Sequence, residues 1–257
     1  MLLTVLGCSG SIPGPHAAAS GYLIETGDVR VAVDLGNGTL AALQTRIDPF
    51  TLDALVLSHL HPDHCTDFSA LTVMRKYHPA PSRDARAHRL PVYAPSEAPS
   101  RLVAAYSADA AERATLDLSD VYDFQRLGEG AFNIGSLEVR SERVAHPCEA
   151  YGIRLTSEGR TFAYTGDTGV CAAMVELAKG VDVLLAEASW THDPGNRPQD
   201  LHLSGHEAGE LATQAGVGRL IITHVPPWTD AGAVLAEATA AFAGDVSLAE
   251  AGASYPL

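Results

Sequence analysis

The chain has 257 residues, 46% hydrophobic and 19% charged, and its 17 Lys and Arg against 31 Asp and Glu leave a formal net charge of −14. That length can bury a sizeable core without a disulfide or a structural metal, and the composition is globular rather than disordered. The acidic balance disfavours broad contact with nucleic acid or an anionic membrane, which need a basic face, but it leaves room for a small anion held at a metal.

Taken in order, short apolar runs predict strands at Leu2–Leu6, Tyr22–Glu25 and Val29–Asp34, separated by glycine turns. Thr51–Ser58 is almost continuously apolar, the pattern of a strand buried on both faces. Phe68, Leu71, Met74 and Tyr77 recur at threes and predict a short amphipathic helix. His78–Pro91 reads as a loop, followed by a strand near Pro91–Ala94 and a helix near Ser96–Ala108.

Further strands are expected at Leu137–Val144, Tyr151–Thr156 and Thr161–Thr165. Val170, Met174, Leu177 and Ala178 mark a helical face before the strand Val181–Ala186. Ser204-Gly205-His206-Glu207 has the S-x-x-E form of a capping box. Its helix leads to the strand Arg219–Thr223, a helix over about Ala231–Phe242 and a last strand near Val246–Ala249. No repeat or linker divides the chain, so residues 1–257 read as one domain of two sheet-plus-helix halves, about 1–125 and 126–257.

No apolar run reaches the 18 or so residues of a membrane span. The start MLLTVLGCSG lacks a basic n-region and reads as a strand and turn. Cys8, Cys65, Cys148 and Cys171 form no C-x-x-C pair, so free thiols and a cytoplasmic location are expected.

The densest chemical signal is His59-Leu60-His61-Pro62-Asp63-His64, directly after a buried strand. Pro62 suits a helix start, where its missing N–H costs nothing. His59 and His61, two apart in extended chain, face the same way and can share one ion. Asp63 and His64, displaced by the turn, can reach a second. Imidazole and carboxylate are donors that borderline metals such as zinc prefer. His146, Asp167 and His224 each follow an apolar strand in a turn flanked by Gly or Pro, and with the first cluster they complete two coordination shells. Asp34 and Glu187, also at strand ends, are expected to accept the free ring N–H of a ligand histidine or simply to shape a turn.

These residues resemble the metallo-β-lactamase superfamily, on the branch that includes ribonuclease Z and related phosphodiesterases. The likeness runs over nearly the whole chain, through Gly7-Cys8-Ser9-Gly10-Ser11, HLHPDH, AHP, TGDT, Glu187-Ala188-Ser189, HLSGHEAGELA and ITHVPPW. It is similar also to actinobacterial members tied to cyclic-nucleotide hydrolysis. The resemblance implies a four-layer αββα sandwich with a two-metal site at one edge of the sheets. By the same resemblance His59, His61 and His146 would hold one zinc, Asp63, His64 and His224 the other, and Asp167 would bridge them. Manganese or iron would be alternatives to zinc. His202 matches the position of a catalytic histidine and would assist the leaving group, with Asp63 beside it in the catalytic set. Cys65 reads as a packed thiol.

The resemblance further implies hydrolysis by a metal-activated water. Ribonuclease Z of the usual bacterial kind carries a tRNA-gripping arm between the positions of His146 and Asp167, which here stand only 21 apart. The expected substrate is therefore a small cyclic phosphodiester, with 3′,5′-cyclic AMP first. RNA 3′-end processing without the arm, hydrolysis of ester, lactone, sulfate or amide bonds, and metal-dependent binding without turnover are the alternatives. Long nucleic acid and membranes are not expected partners; a homodimer stays open. Arg83, Arg86 and Arg89 with His78 and His88 read as a solvated loop before a phosphate clamp, and Trp190 and Trp228 as either stacking platforms or hydrophobic plugs.

Overall fold

In the computed structural model, which describes residues 1–193, 195 and 197–257, the chain begins with β1 (Leu2–Gly7), β2 (Gly21–Thr26), β3 (Val29–Leu35) and α1 (Thr39–Gln44). It continues through β4 (Ala54–Val56), α2 (Pro62–Cys65), α3 (Phe68–Tyr77), β5 (Leu90–Ala94), α4 (Ala98–Tyr106), α5 (Ala110–Thr115) and β6 (Tyr122–Arg126). Next come β7 (Gly130–Ile134), β8 (Leu137–Arg143), β9 (Tyr151–Ser157), β10 (Arg160–Tyr164), α6 (Ala172–Leu177) and β11 (Val183–Glu187). Then follow α7 (Gly205–Ala215), β12 (Arg219–Thr223), α8 (Ala231–Ala241), β13 (Asp245–Leu248) and β14 (Ser254–Pro256).

The strands form two seven-stranded sheets, ordered β14-β1-β2-β3-β4-β5-β6 and β13-β12-β11-β10-β9-β8-β7. Each is antiparallel on one side and parallel on the other, with β3 to β6 parallel in the first and β10 to β13 parallel in the second. Successive strand side chains point to opposite faces, and here both faces are covered. In β3, Val31 and Val33 enter the layer between the sheets, together with Tyr22, Ile24, Ile153, Phe162 and Leu185. Ala32 points outward with Leu23, Leu55 and Leu57 onto the helical layer that carries Leu43, Phe68, Leu71 and Leu102. Ala163, Leu184 and Ile222 do the same on the other side, beneath Met174, Leu177, Ala208, Leu211 and Val234. This is the αββα sandwich that the resemblance implied. No helix among the described residues is long and apolar enough to cross a membrane.

The run Thr51–Ser58 was expected to be one strand, but only Ala54–Val56 pairs as β4. Asp48 accepts the amide of Phe50 and starts a 3-10 turn over Pro49–Thr51, so a local cap takes residues that hydrophobicity alone assigns to the sheet. The elements without a sequence signal are short or marginal. β7 is an edge strand, mostly exposed, and α5 buries no residue. β14 earns its place only by pairing with β1 from the far end of the chain.

Parallel strands bring their carboxyl ends to one edge of a sheet, where α/β proteins build their sites. Asp34 lies at the end of β3, His59 just past β4, His146 past β8, Asp167 past β10, Glu187 at the end of β11 and His224 just past β12. Arg83, Arg86 and Arg89 precede β5, and Arg86 and Arg89 reach Asp120 and Ser119 before β6. They therefore occupy the opposite edge, away from the histidines, which removes the phosphate-clamp alternative.

Candidate metal centre

Every candidate ligand comes to one place. His59, His61, His146 and Asp167 form one group of converging donors, and Asp63, His64, Asp167 and His224 form a second that shares Asp167. In the first, His61 Nδ1 lies 3.1 Å from both His59 Nε2 and His146 Nε2, and Asp167 Oδ2 is 3.6 Å from His59 Nε2. In the second, His64 Nε2 is 3.2 Å from Asp167 Oδ1 and 3.5 Å from Asp63 Oδ2, while His224 Nε2 is 3.4 Å from Asp167 Oδ2. Tetrahedral zinc with bonds of about 2.0–2.2 Å sets its donors roughly 3.3–3.6 Å apart, so these separations suit a shared ion in each group.

Local chain geometry puts the donors there. His61 is the extended residue before α2, with Pro62 in its first turn, so Asp63 and His64 rise from the helix while His59 stays in the strand extension. Asp34 and His224 hold left-handed backbone, at φ 57° and 58°. Asp and His are among the non-glycine residues that adopt this region most readily. Holding them there costs of order 1–3 kcal/mol each, a strain concentrated at functional sites. A Cβ on Gly36 would sit 1.9 Å from the Asp63 carbonyl oxygen, and one on Gly10 would sit 2.2 Å from that of His224. Both glycines are needed for the loops to close.

The second nitrogen of most of these rings is already spoken for. His64 Nδ1 donates to Asp34 Oδ2 at 2.8 Å, and the same carboxylate accepts from Ser58 N, Ser58 Oγ and Tyr164 OH. His59 Nδ1 donates to Ser58 Oγ, His224 Nδ1 to Ser20 Oγ, and His146 Nδ1 to the Leu201 carbonyl. Each bond fixes the tautomer whose other nitrogen is a free lone pair aimed at the cluster. His64 Nε2, His224 Nε2 and Asp167 Oδ1 are buried with no hydrogen-bond partner in the protein. Buried orphans of this kind cost about 1–3 kcal/mol each, and a cation satisfies all three at once.

Electrostatics agree with the geometry for four of the five rings. Burial lowers the pKa of His59 and His61, and brings His146 and His224 to about 4, so all four rings are neutral near pH 7, the form that binds metal. Burial also works against a charged His64, but Asp167 and Asp34 flank it and raise its pKa well above 6.5. The Asp167 carboxyl is desolvated, yet His224, His64 and His59 hold it well below the ordinary carboxylate range. The buried His and Asp clusters thus suit a dinuclear metal site.

Glu187 was expected either to orient a ligand histidine or simply to shape a turn. It instead accepts Nδ1–H of His202 at 2.9 Å, along with the amides of Thr168 and Leu203. Burial raises the Glu187 pKa, and burial of His202 is outweighed by the Glu187 charge, which raises the ring's pKa. His202 Nδ1 stands 3.8 Å from Asp167 Oδ2, beside the metal cluster. Trp190 packs its edge on His202, with ring centroids 5.3 Å apart, and lies under the Arg197 guanidinium. It is a plug rather than an open platform, whereas Trp228 is 67% exposed. Pro194, in the same run as Trp190, lies outside the described residues. Cys65 is buried and donates to the carbonyls of Leu60 and His61, and burial pushes its thiol up to about 11. All four cysteines are free.

Sequence reasoning did not find Ser20, Ser58, Tyr164, Gly36 or the Leu201 carbonyl. Ser58 carried a faint signal, being the polar residue that ends an apolar run just before His59. Ser20 and Tyr164 carried none, because they reach the site from β-strand neighbourhoods distant in sequence.

The family model described as beta-lactamase superfamily domain matches residues 29–225. An uncharacterized protein of Mycobacterium tuberculosis is 48% identical over 95% of this chain and 88% of its own length. The probable metallo-hydrolase YhfI of Bacillus subtilis is 30% identical over 98% of both chains, and its crystal structure superposes with a TM-score of 0.85 at 26% identity, covering 99% of this chain and 98% of that one. A ribonuclease Z of Mycolicibacterium paratuberculosis is 29% identical over 96% of this chain and 95% of its own. With its fold, its converging histidines and these relatives, the chain belongs to the beta-lactamase superfamily, as a metal-dependent hydrolase of the ribonuclease Z-like branch.

Proposed function

We propose that the protein is a dinuclear zinc phosphodiesterase that opens a small cyclic phosphodiester, with 3′,5′-cyclic AMP as the first substrate, and that it works in the cytoplasm as one domain. The observation that carries this reading is the single carboxylate of Asp167 shared by two sets of converging imidazoles, with His202 anchored beside it. Two such ions, when bound, supply an activated water and neutralise charge on a phosphoryl group.

The protein's own residues do the rest. His59, His61 and His146 would hold one ion and Asp63, His64 and His224 the other, with Asp167 placed to serve both. The hydrogen bonds from Ser20, Ser58, Asp34 and the Leu201 carbonyl keep these donors in register before any substrate arrives. Glu187 holds His202 by Nδ1 and leaves Nε2 to hydrogen-bond, or pass a proton to, the departing alkoxide.

Size and charge support a small substrate. The stretch between His146 and Asp167 is taken up by the β9–β10 hairpin, whose tight turn places Glu158 and Gly159 at φ 51° and 75°. A tRNA-gripping arm has no room there, and the net charge of −14 opposes a long polyanion. Action on RNA 3′ ends is the second reading, motivated by the 29% identical ribonuclease Z, and it requires binding that weakens steeply with salt.

The test is AMP formation from 3′,5′-cyclic AMP by purified protein loaded with zinc or manganese, with Asp167→Ala as the blank. Ring opening that disappears in the variant is the expected result. A fully metallated protein that forms no AMP overturns the cyclic-AMP reading.

A further inference from the structure

A pocket of about 230 Å³ opens on the flank of the metal cluster, lined by His61, Leu60, Pro95, Glu97, Arg101, Cys148 and Glu149. His61 belongs to both, so whatever occupies the pocket lies next to the reacting centre. Sites that take a whole drug-sized ligand run to about 300–1,000 Å³, so this space suits one ring system rather than an entire nucleotide.

The polar lining is built, and it is mixed in sign. Arg101 reaches back from α4 and donates its Nε to the Leu60 carbonyl at 3.3 Å, which fixes the guanidinium beside the His59–His64 turn. Among the described residues no carboxylate forms an ion pair with Arg101, so its terminal nitrogens are unspent. Glu149 is tied to Ser96 and to Tyr151 OH, making it a rigid wall. Glu97, the N-cap of α4 one turn before Arg101, has no side-chain partner among the described residues. Two carboxylates against one guanidinium make the fixed charge of the lining net negative. A second phosphate is therefore disfavoured. A neutral ring that offers an N–H donor beside an acceptor atom matches it, with the donor to Glu97 and the acceptor to Arg101. Nucleobase edges carry this pairing.

We propose that this pocket receives the nucleobase of the substrate and that Arg101 is its specificity-determining residue. The proposal rests on the phosphodiesterase reading for its orientation, because the phosphate must sit at the metals while the base reaches past His61. Arg101 is exposed on a helix surface, so replacing it does not threaten the core.

The test is calorimetric titration of the metal-loaded protein with AMP and with ribose 5-phosphate, which share a phosphate and a sugar and differ by the base. The native protein is expected to bind AMP at least tenfold more tightly, and Arg101→Met to bring the two affinities within about twofold. Arg113→Met, on α5 outside the pocket, is expected to keep the tenfold ratio. Equal affinities in the native protein, no binding of either, or a ratio untouched by Arg101→Met overturns the proposal. An Arg101-dependent preference for AMP in a protein that opens no cyclic nucleotide sustains the base pocket and removes the phosphodiesterase reading instead.

Discussion

At the scale of single residues, the centre is decided by which nitrogen of each histidine is free. Asp34 matters most among the supporting groups, since it accepts from His64 Nδ1, Ser58 N, Ser58 Oγ and Tyr164 OH, and through Ser58 it also steers His59. Asp34→Asn is a clean probe because asparagine tolerates the φ of 57° that this position demands. Loss of the carboxylate is expected to weaken zinc affinity by about 10–100-fold, measured by competition with a chromophoric chelator, while the far-ultraviolet circular dichroism stays native. Unchanged affinity would mean that His64 is held by packing alone.

At the scale of elements, α7 illustrates how a local signal and a tertiary contact combine. The S-x-x-E pattern read from the sequence does form a capping box, with the Ser204 hydroxyl taking the Glu207 amide and the Glu207 carboxylate taking the Ser204 amide. Arg197 then adds a two-pronged ion pair to Glu207, at 2.8 and 2.9 Å, which no short-range pattern announces. Burial alone would raise the Glu207 pKa, but the Arg197 and Ser204 hydrogen bonds bring it from 4.5 to about 2. A carboxyl whose folded pKa lies below its unfolded value stabilises the fold above the unfolded pKa, and that stabilisation is lost as pH falls through the folded one. Urea unfolding should therefore show Glu207→Gln less stable than the native protein by about 1–3 kcal/mol at pH 7. The gap should close between pH 4.5 and pH 2. A gap that is constant with pH would show that the carboxylate charge is not what Arg197 and Ser204 stabilise. The helix matters for function because it begins three residues after His202, so its cap fixes where that ring stands.

At the scale of the whole molecule, two sheets deliver candidate ligands to one edge, so metal binding is expected to be coupled to stability. Asp34, Asp63, Asp167 and Glu187 crowd a small buried volume in which His64 Nε2, His224 Nε2 and Asp167 Oδ1 lack protein partners. An ion bound only by the folded state adds about 2.7 kcal/mol at a hundred times its dissociation constant. Chelation is expected to lower the melting temperature by about 5–10 °C for a chain of this size. Differential scanning calorimetry with and without EDTA reads this directly, and an unmoved transition would contradict a metal coupled to the fold.

Much of the site was legible in the sequence because its donors fall at strand ends, where an apolar run stops and a His or Asp follows. His59 to His64 lie within one strand-turn-helix, so their spacing alone limited how they could face. Periodicity likewise located most buried strands and the helices that cover them. The tertiary structure decided what depends on distant segments meeting. It set the pairing of β14 with β1, the bond from Ser20 to His224, the use of Glu187 on His202 rather than on a ligand, and the placing of the arginine loop at the far edge. The physical reason is range. Periodicity, caps and turn chemistry act over a few residues, whereas hydrogen bonds and cavities between sheets are fixed only once the two halves have packed.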